Sequence, residues 1–185
     1  WEDVDKINAA AIYHHTNDDG DSEFYSFAAV QMDGDDEAPH LCRIDAGEAD
    51  HKECFDSPLQ GNSNPNAGVI LDNTYYYSRN LGDNDDGTFI YRVSGINGNT
   101  PDFHYDEDNL AFQGTGDDDT DVWKGQVLDL VAVKERSTLI DDGESDQSYL
   151  IGLGEGFEVV IVHLDDAGAP DKYAVVDSSV NWNGA

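Results

Sequence analysis

Short apolar segments alternate along the chain with clusters of Asp, Asn and Gly. In one of them Phe89, Tyr91 and Val93 fall on one face of an extended chain, while Thr88 and Arg92 fall on the other. This period of two, between turn-forming residues, is typical of β-strands. The pattern predicts ten strands, over residues 8–13, 24–32, 40–44, 69–78, 88–94, 109–113, 122–133, 147–153, 157–164 and 172–176.

Helical periodicity is nearly absent from the sequence. Residues 3–12 place Val4, Ile7, Ala11 and Ile12 roughly on one stripe, which makes this segment the best helical candidate. We therefore expect at most one or two short helices. The stretch 56–68, rich in Asn, Pro and Gly, is expected to be a surface loop.

Eight to ten strands with few helices indicate an all-β protein. Because 185 residues suffice for one hydrophobic core, we predict a single-domain β-sandwich over residues 1–185, with a jelly roll as the favoured topology and a closed barrel as the next. The segment 157–164 is apolar almost throughout, so we expect it to lie deep in a sheet.

The charge of the chain points to its solvent. Asp and Glu together number 40 against nine Lys and Arg, for a formal net charge of −31. Such a charge repels itself in dilute buffer, whereas in molar salt the Debye length falls to about 3 Å and the repulsion is largely screened. The composition therefore predicts a halophilic protein, and 10% aromatic residues argue against a disordered acidic chain.

Two classes of partner are disfavoured by the same composition. The chain has no Lys/Arg cluster of the kind that binds phosphates, so direct binding to nucleic acid is not expected. It also has no apolar run of about 18 residues, so no membrane span is expected. A mimic of DNA, with carboxylates gathered on one face, is a minor alternative.

Cys42 and Cys54 are the two cysteines of the chain. A disulfide between them would close a small loop across residues 45–50, whereas the other alternative is a pair of buried free thiols. The sequence leaves both alternatives open.

The Asp clusters raise the question of bound cations. Loose binding is conceivable at two of them, Asp83, Asp85 and Asp86 in the first and Asp117, Asp118 and Asp119 in the second. Neither Gly20 nor Gly87 anchors a complete EF-hand loop, because the ligands required at positions 1 and 12 are missing. We therefore expect solvated acidic turns, with no cofactor beyond loosely held cations.

No catalytic motif is present, and the chain is not expected to be an enzyme. It has no Gly-x-Ser-x-Gly elbow, and the glycines at 152–156 precede a predicted strand, not a phosphate-binding helix. Aromatic residues could stack on sugars if they were exposed, which leaves a secreted or surface carbohydrate-binding module as the alternative function; the candidates are Tyr25, Tyr75, Tyr76, Tyr77, Trp123 and Trp182.

The apolar segments 24–32, 122–133 and 157–164, set between Asp-rich turns, give the chain a resemblance to one viral family. In length and pattern it resembles the smaller major capsid protein of tailless icosahedral haloarchaeal viruses with an internal membrane. In that family two related single jelly-roll proteins form the capsomers. The resemblance implies a structural protein of the virion that assembles with itself and a related subunit; the alternative location is extracellular, or the cell surface of a halophile.

Overall fold

A computed structural model describes residues 4–16, 19–32, 38–45, 52–60, 65–80, 88–98, 100–104, 110–111, 127–134, 148–154 and 158–176. Within these ranges the chain forms thirteen β-strands and no helix. The strands are β1 (Val4–Thr16), β2 (Ser22–Met32), β3 (His40–Asp45), β4 (Lys52–Pro58), β5 (Ala67–Leu71), β6 (Thr74–Asn80), β7 (Thr88–Ser94), β8 (Asp102–His104), β9 (Leu110–Ala111), β10 (Val127–Lys134), β11 (Ser148–Gly154), β12 (Val159–Leu164) and β13 (Pro170–Val176).

The strands form three antiparallel sheets that follow one another along the chain. Sheet 1 has the order β1-β2-β3-β4, sheet 2 the order β5-β6-β7-β8 with β9 also paired to β7, and sheet 3 the order β10-β11-β12-β13. Each sheet is therefore a meander in which neighbouring strands are consecutive in sequence, apart from the short β9. The all-β prediction is confirmed, and three antiparallel sheets are consistent with a β-sandwich. The jelly roll is not confirmed.

The helical candidate at 3–12 is wrong, because residues 4–12 belong to β1; residue 3 lies outside the described residues. Register shifts interrupt the pairing of β1 with β2 between Val4 and Lys6 and again between Asn8 and Ala11. Each shift inserts an extra residue, which moves the following side chains to the other face of the strand. The apolar positions then follow a spacing that imitates a helical stripe.

Several other elements also differ from the sequence expectation. The predicted strand 69–78 is two strands, β5 and β6, joined by a tight turn in which Asp72 has a φ of 54°. The sequence pattern predicts neither β4 nor β8, because both strands contain few apolar residues. The predicted loop 56–68 overlaps strands at both ends, because β4 extends to Pro58 and β5 begins at Ala67. Leu59 is fully buried, and residues 61–64 lie outside the described residues.

The three sheets pack face to face in the order 1-2-3, with sheet 2 in the middle. One core lies between sheets 1 and 2, and Phe27, Leu41, Tyr75, Tyr77 and Tyr91 are among its buried side chains. A second core lies between sheets 2 and 3; it includes Tyr76, Ile90, Leu150, Val160 and Val162. The two cores use opposite faces of sheet 2.

The three sheets lie close together at their first strands, and sheets 1 and 2 are separated by a groove at their last strands. The first strands of the sheets lie side by side, with β5 packed between β1 and β10. Farther out, β4 and β8 bound an open groove of about 300 Å³, lined by residues that include Glu53, Asp56 and Thr100. Phe55 and Phe103 meet in this groove with ring centroids 6.4 Å apart. The sheets are thus closest at their first strands.

Candidate assembly surfaces

The middle sheet is buried on both faces. Tyr75, Tyr76 and Tyr77 follow one another along β6, so their rings alternate between the two cores, and each is at most 2% exposed. Tyr77 stacks on Tyr91 with ring centroids 5.2 Å apart. A run of three aromatic residues is therefore accounted for by packing on the two sides of one strand.

Polar groups of sheet 2 tie it to sheet 1. The Tyr75 hydroxyl donates a hydrogen bond of 2.5 Å to the carbonyl oxygen of Ala9 in β1. Gly68 of β5 faces the same carbonyl so closely that a Cβ atom there would lie 2.2 Å from the oxygen. Ala9 itself has a φ of 51°, a conformation that marks the bulge in β1. The bulge therefore turns this carbonyl toward sheet 2.

A second set of bonds ties sheet 2 to sheet 3. The Ser78 hydroxyl donates to the Val127 carbonyl over 3.1 Å. At the turn between β12 and β13, Tyr76 donates to the Gly168 carbonyl and Arg92 to the Ala167 carbonyl, each over 2.7 Å. The buried hydroxyls of Tyr76 and Ser78 and the Arg92 guanidinium thus donate to backbone oxygens of sheet 3 or of its β12–β13 turn, which offsets part of the cost of their burial.

Burial changes the acidity of these groups. It raises the pKa of the Tyr76 hydroxyl to about 12, although nearby Arg92 acts in the opposite direction. The pKa of Tyr75 is also raised, chiefly by its burial. Both phenols therefore stay neutral at physiological pH and act as hydrogen-bond donors.

The outer face of sheet 1, turned away from sheet 2, is apolar. Its centre is buried and includes Ala28, Val30 and Cys42. Toward β1 and the start of β2 the face is open, because Ile12 is 74% exposed and Phe24 is 53% exposed. The Phe24 ring stacks on its cross-strand neighbour His14 at a centroid distance of 4.7 Å.

The outer face of sheet 3 carries two apolar rows across its strands. One row runs from Val131 through Ile151 and Ile161 to Ala174, and its neighbour runs from Leu153 through Val159 to Val176, with the exposed Asp129 opposite Leu153 at its end. Within these rows Val131, Leu153 and Val176 are about half exposed, at 56%, 46% and 50%. A shallow groove of about 160 Å³ lies between the strands on this face.

The exposed large hydrophobic side chains of the described residues are confined to these two sheets. They are Ile7, Ile12 and Phe24 in sheet 1, and Leu128, Val131, Leu153 and Val176 in sheet 3. The middle sheet has none among its described residues. The exposed apolar surface therefore follows the position of a sheet in the stack: it occurs on sheets that have one partner and not on the sheet that has two.

The described acidic side chains, unlike the large apolar ones, are kept out of the cores. Over the part of the chain that the structure describes, no Asp or Glu side chain is buried, whereas Arg79 and Arg92 are. The sequence expectation that Asp-rich turns face solvent is met at Asp165 and Asp166, which are exposed between β12 and β13. Carboxylates are thus kept out of the cores and at the solvent boundary.

The two cysteines lie opposite each other on β3 and β4, and the structure joins them in a disulfide. Of the two alternatives left open by the sequence, the protein has the bonded form. The bridge lies on the outer face of sheet 1, where Cys42 is fully buried. It ties the last strand of the sheet to the strand before it.

The six aspartates proposed as weak cation sites, at 83, 85, 86, 117, 118 and 119, lie outside the described residues. Within the described residues, no three His, Cys, Asp or Glu side chains form a group that could hold a metal ion. The same part of the chain contains no helix long and apolar enough to cross a membrane.

Most of the aromatic residues considered for sugar stacking are unsuited to it or lie outside the described residues. Tyr75, Tyr76 and Tyr77 are buried, and Tyr25 carries the Arg43 guanidinium 5.3 Å above its ring. Trp123 and Trp182 lie outside the described residues.

Sequence reasoning did not identify the outer faces as a site. One signal was present: the segment 157–164 is apolar on both faces, which is typical of a strand covered on both sides. In the structure Val160 and Val162 point into the core, while Val159 and Ile161 are only half-buried on the outer face.

Comparison with protein-family models, with curated proteins and with solved structures finds no match to this chain.

Proposed function

We propose that the protein is a structural subunit that assembles through the outer faces of sheets 1 and 3 in a solvent of molar salt. The observation that carries this proposal is that, among the described residues, the exposed large hydrophobic side chains are confined to those two sheets. Clusters of exposed apolar residues rimmed by polar ones are typical of protein interaction sites. Although the chain is rich in carboxylates, apolar side chains predominate among the described residues of these faces.

The charge of the chain makes such assembly dependent on salt. Two subunits with a formal charge of −31 each repel one another strongly in dilute buffer. In molar salt the screening length is about 3 Å, so apolar contact between the faces outweighs the remaining repulsion. The proposal therefore links the acidic composition to the same surfaces.

More specifically, we propose that the assembly is the shell of a tailless icosahedral haloarchaeal virus, in which the protein forms capsomers with a related subunit. Its support is the sequence resemblance in length, acidity and alternation of apolar segments with acidic turns. The meander order within each sheet does not favour the jelly roll of that family. The role of a structural subunit, which is argued from the exposed apolar side chains, does not depend on this resemblance.

A carbohydrate-binding module is the competing function from the sequence. It is less well supported, because three of the six candidate stacking residues are buried in the cores. The proposal also gives the protein no catalytic role, in line with the lack of a catalytic motif in the sequence.

Sedimentation of the native protein from its source tests the proposal. In a gradient at about 3 M KCl, where the screening length is shortest, we expect it to travel with a large, regular particle. Dialysis to low salt should release it as slower species. If the protein sediments at molar salt as a free chain of 20.3 kDa, the structural role is wrong.

A further inference from the structure

We propose that the groove between β4 and β8 binds a neutral, polyhydroxylated ligand of the sugar class. The groove lies between sheets 1 and 2 and has a volume of about 300 Å³, which is at the lower end of the range for small-molecule sites. It is separate from the outer faces of sheets 1 and 3, so the proposal goes beyond the structural role and does not depend on it.

The wall that β4 contributes to the groove is bulged. Cys42 of β3 lies opposite Cys54, whereas His40, two residues earlier, lies opposite Pro58. Two steps along β3 therefore correspond to four along β4, and the extra residues fall within 55–57, which line the groove. Bulges re-aim side chains and are frequent next to active sites. The groove thus has a wall that differs from a regularly paired strand.

Exposed polar side chains line the groove on both sides. Asp56 and Ser57 belong to the bulge, and Thr100 precedes β8 on the opposite wall. An ionised carboxylate accepts several hydrogen bonds, while each hydroxyl both donates and accepts. A sugar offers a row of hydroxyl groups that also donate and accept, so it matches this set of partners.

The groove also offers an apolar surface to a sugar ring. The Phe55 and Phe103 rings meet edge to face, and Phe55 is buried, whereas Phe103 and Pro101 are half-buried and line the groove. Aromatic side chains provide a large apolar contact area, on which the C–H face of a sugar ring can pack. Phe103 is thus the ring that receives the sugar, although the sequence pattern did not single it out.

The charge of the groove favours a neutral ligand over an organic cation. Glu53 and Asp56 are the carboxylates among its described lining residues, and Glu53 is ion-paired with Arg43 of β3. In molar salt the screening length is about 3 Å, so a cation gains little from more distant carboxylates and competes with the ions of the solvent. Hydrogen bonds and ring contacts act at short range, so a neutral sugar keeps its affinity there.

Titration of the chain with defined probes in about 3 M KCl tests the proposal. The probes are neutral oligosaccharides of glucose, galactose, mannose and N-acetylglucosamine, their monosaccharides, and choline as the cationic comparison. We expect a neutral oligosaccharide to bind with a dissociation constant on the order of 1 mM or lower and to shift amide NMR signals of β4 and β8. Equal affinity for the monosaccharide identifies a free sugar as the ligand, and weaker affinity identifies a glycan chain.

Substitutions in the groove locate the site. Asp56→Ala removes an exposed carboxylate, and Phe103→Leu removes the ring but keeps an apolar side chain; each should weaken binding by at least about tenfold. Phe103→Tyr retains the ring and should bind within about threefold of the unaltered chain. Asp166→Ala removes an equally exposed carboxylate from the β12–β13 turn and is the matched control, which should leave binding unchanged. Melting temperatures in the same KCl verify that each variant is folded.

Three results would overturn the proposal. One is that no neutral sugar binds the folded chain. Another is sugar binding that neither Asp56→Ala nor Phe103→Leu weakens, which places the ligand elsewhere. The third is that choline alone binds and its affinity falls as KCl rises, which makes the groove a cation site. All three leave the structural role unaffected, because the groove is separate from the outer faces.

Discussion

Gly68 is the residue at which the backbones of two sheets come closest. A Cβ atom at this position would lie 2.2 Å from the carbonyl oxygen of Ala9 and 2.7 Å from the Tyr75 hydroxyl that bonds the same oxygen. The requirement is local and steric, because only a residue without a side chain leaves room for this hydrogen bond. The junction between sheets 1 and 2 therefore depends on one glycine, one phenol and one bulged residue.

Gly68→Ala should lower the free energy of unfolding by about 2–4 kcal/mol, because a methyl group at this position must displace backbone or break the Tyr75 bond. Gly98→Ala is the control: its Cβ would meet nothing closer than 3.4 Å, and we expect a change below about 0.5 kcal/mol. Urea unfolding in molar KCl measures both. Equal stabilities of the two variants would contradict the close approach.

Because its buried phenols must stay protonated, the folded protein should lose stability at high pH. Burial raises the pKa of Tyr76 from 10.0 to about 12, and it also raises that of Tyr75. Above pH 10 the unfolded chain releases these protons more readily than the folded one, so the contribution of the neutral phenols is complete below pH 10 and is lost as the pH rises toward 12.

We therefore expect the melting temperature in molar KCl to be flat from neutral pH to about 10 and to fall above it, with Tyr76 alone contributing on the order of 2 kcal/mol. For the buried tyrosines, phenolate absorbance near 295 nm should rise only as the protein unfolds. Tyr76→Phe should make the decline shallower. Full ionisation of every tyrosine in a folded protein would contradict the burial of this cluster.

Some strands form because neighbouring strands pair with them, although their own sequence lacks a strand pattern. β4 has only Cys54 and Phe55 as large apolar residues, and it was not predicted. It forms because β3 offers it a partner, because Phe55 packs on the core between sheets 1 and 2, and because the disulfide fixes it to β3. These are all contacts with other parts of the chain.

Reduction of the disulfide should lower the free energy of unfolding by about 3 kcal/mol, because cross-linking residues 12 apart in sequence limits the unfolded chain. Urea unfolding in molar KCl with and without a thiol reductant measures the change. The double variant Cys42→Ala with Cys54→Ala serves as the control, since reductant should not alter its stability. An unchanged midpoint for the native chain after complete reduction would show that the bridge does not stabilise sheet 1.

Over the whole molecule, burial and charge are separated. The described carboxylates face solvent, and two of the four arginines of the chain, Arg79 and Arg92, are buried, where their guanidinium groups bond to backbone carbonyls. These arginines contribute little to neutralising the acidic surface. The repulsion among surface carboxylates must therefore be relieved by ions from the solvent.

Lowering KCl from about 3 M to about 0.1 M lengthens the screening distance from about 3 to about 10 Å, so repulsion should destabilise the fold. We expect the melting temperature to fall by roughly 10 °C or more, which corresponds to a few kcal/mol for a chain of this size. Sucrose at low salt is the control, because it is excluded from protein surfaces without screening charge. A melting temperature independent of KCl would contradict the interpretation of the acidic surface.

The sequence by itself determined the strands that alternate with turns, the all-β class and the exposure of the acidic turn at 165–166. These properties follow from local chemistry: β-branched and aromatic residues favour extended chain, while Asp and Gly favour turns. The segment 88–94 was predicted with the bounds of β7 for this reason.

Only the tertiary structure decided how the sheets are ordered, where the bulge in β1 lies and which apolar faces stay open. Side chains such as Val159 and Val160 are alike in sequence, yet one lies on the outer face of sheet 3 and the other in a core. Ile12 and Phe27 likewise differ in exposure, since Phe27 lies on the face of sheet 1 that packs on sheet 2 and Ile12 lies at the exposed edge of the opposite face. The difference arises from contacts between distant segments, and a local pattern does not specify which segments will meet.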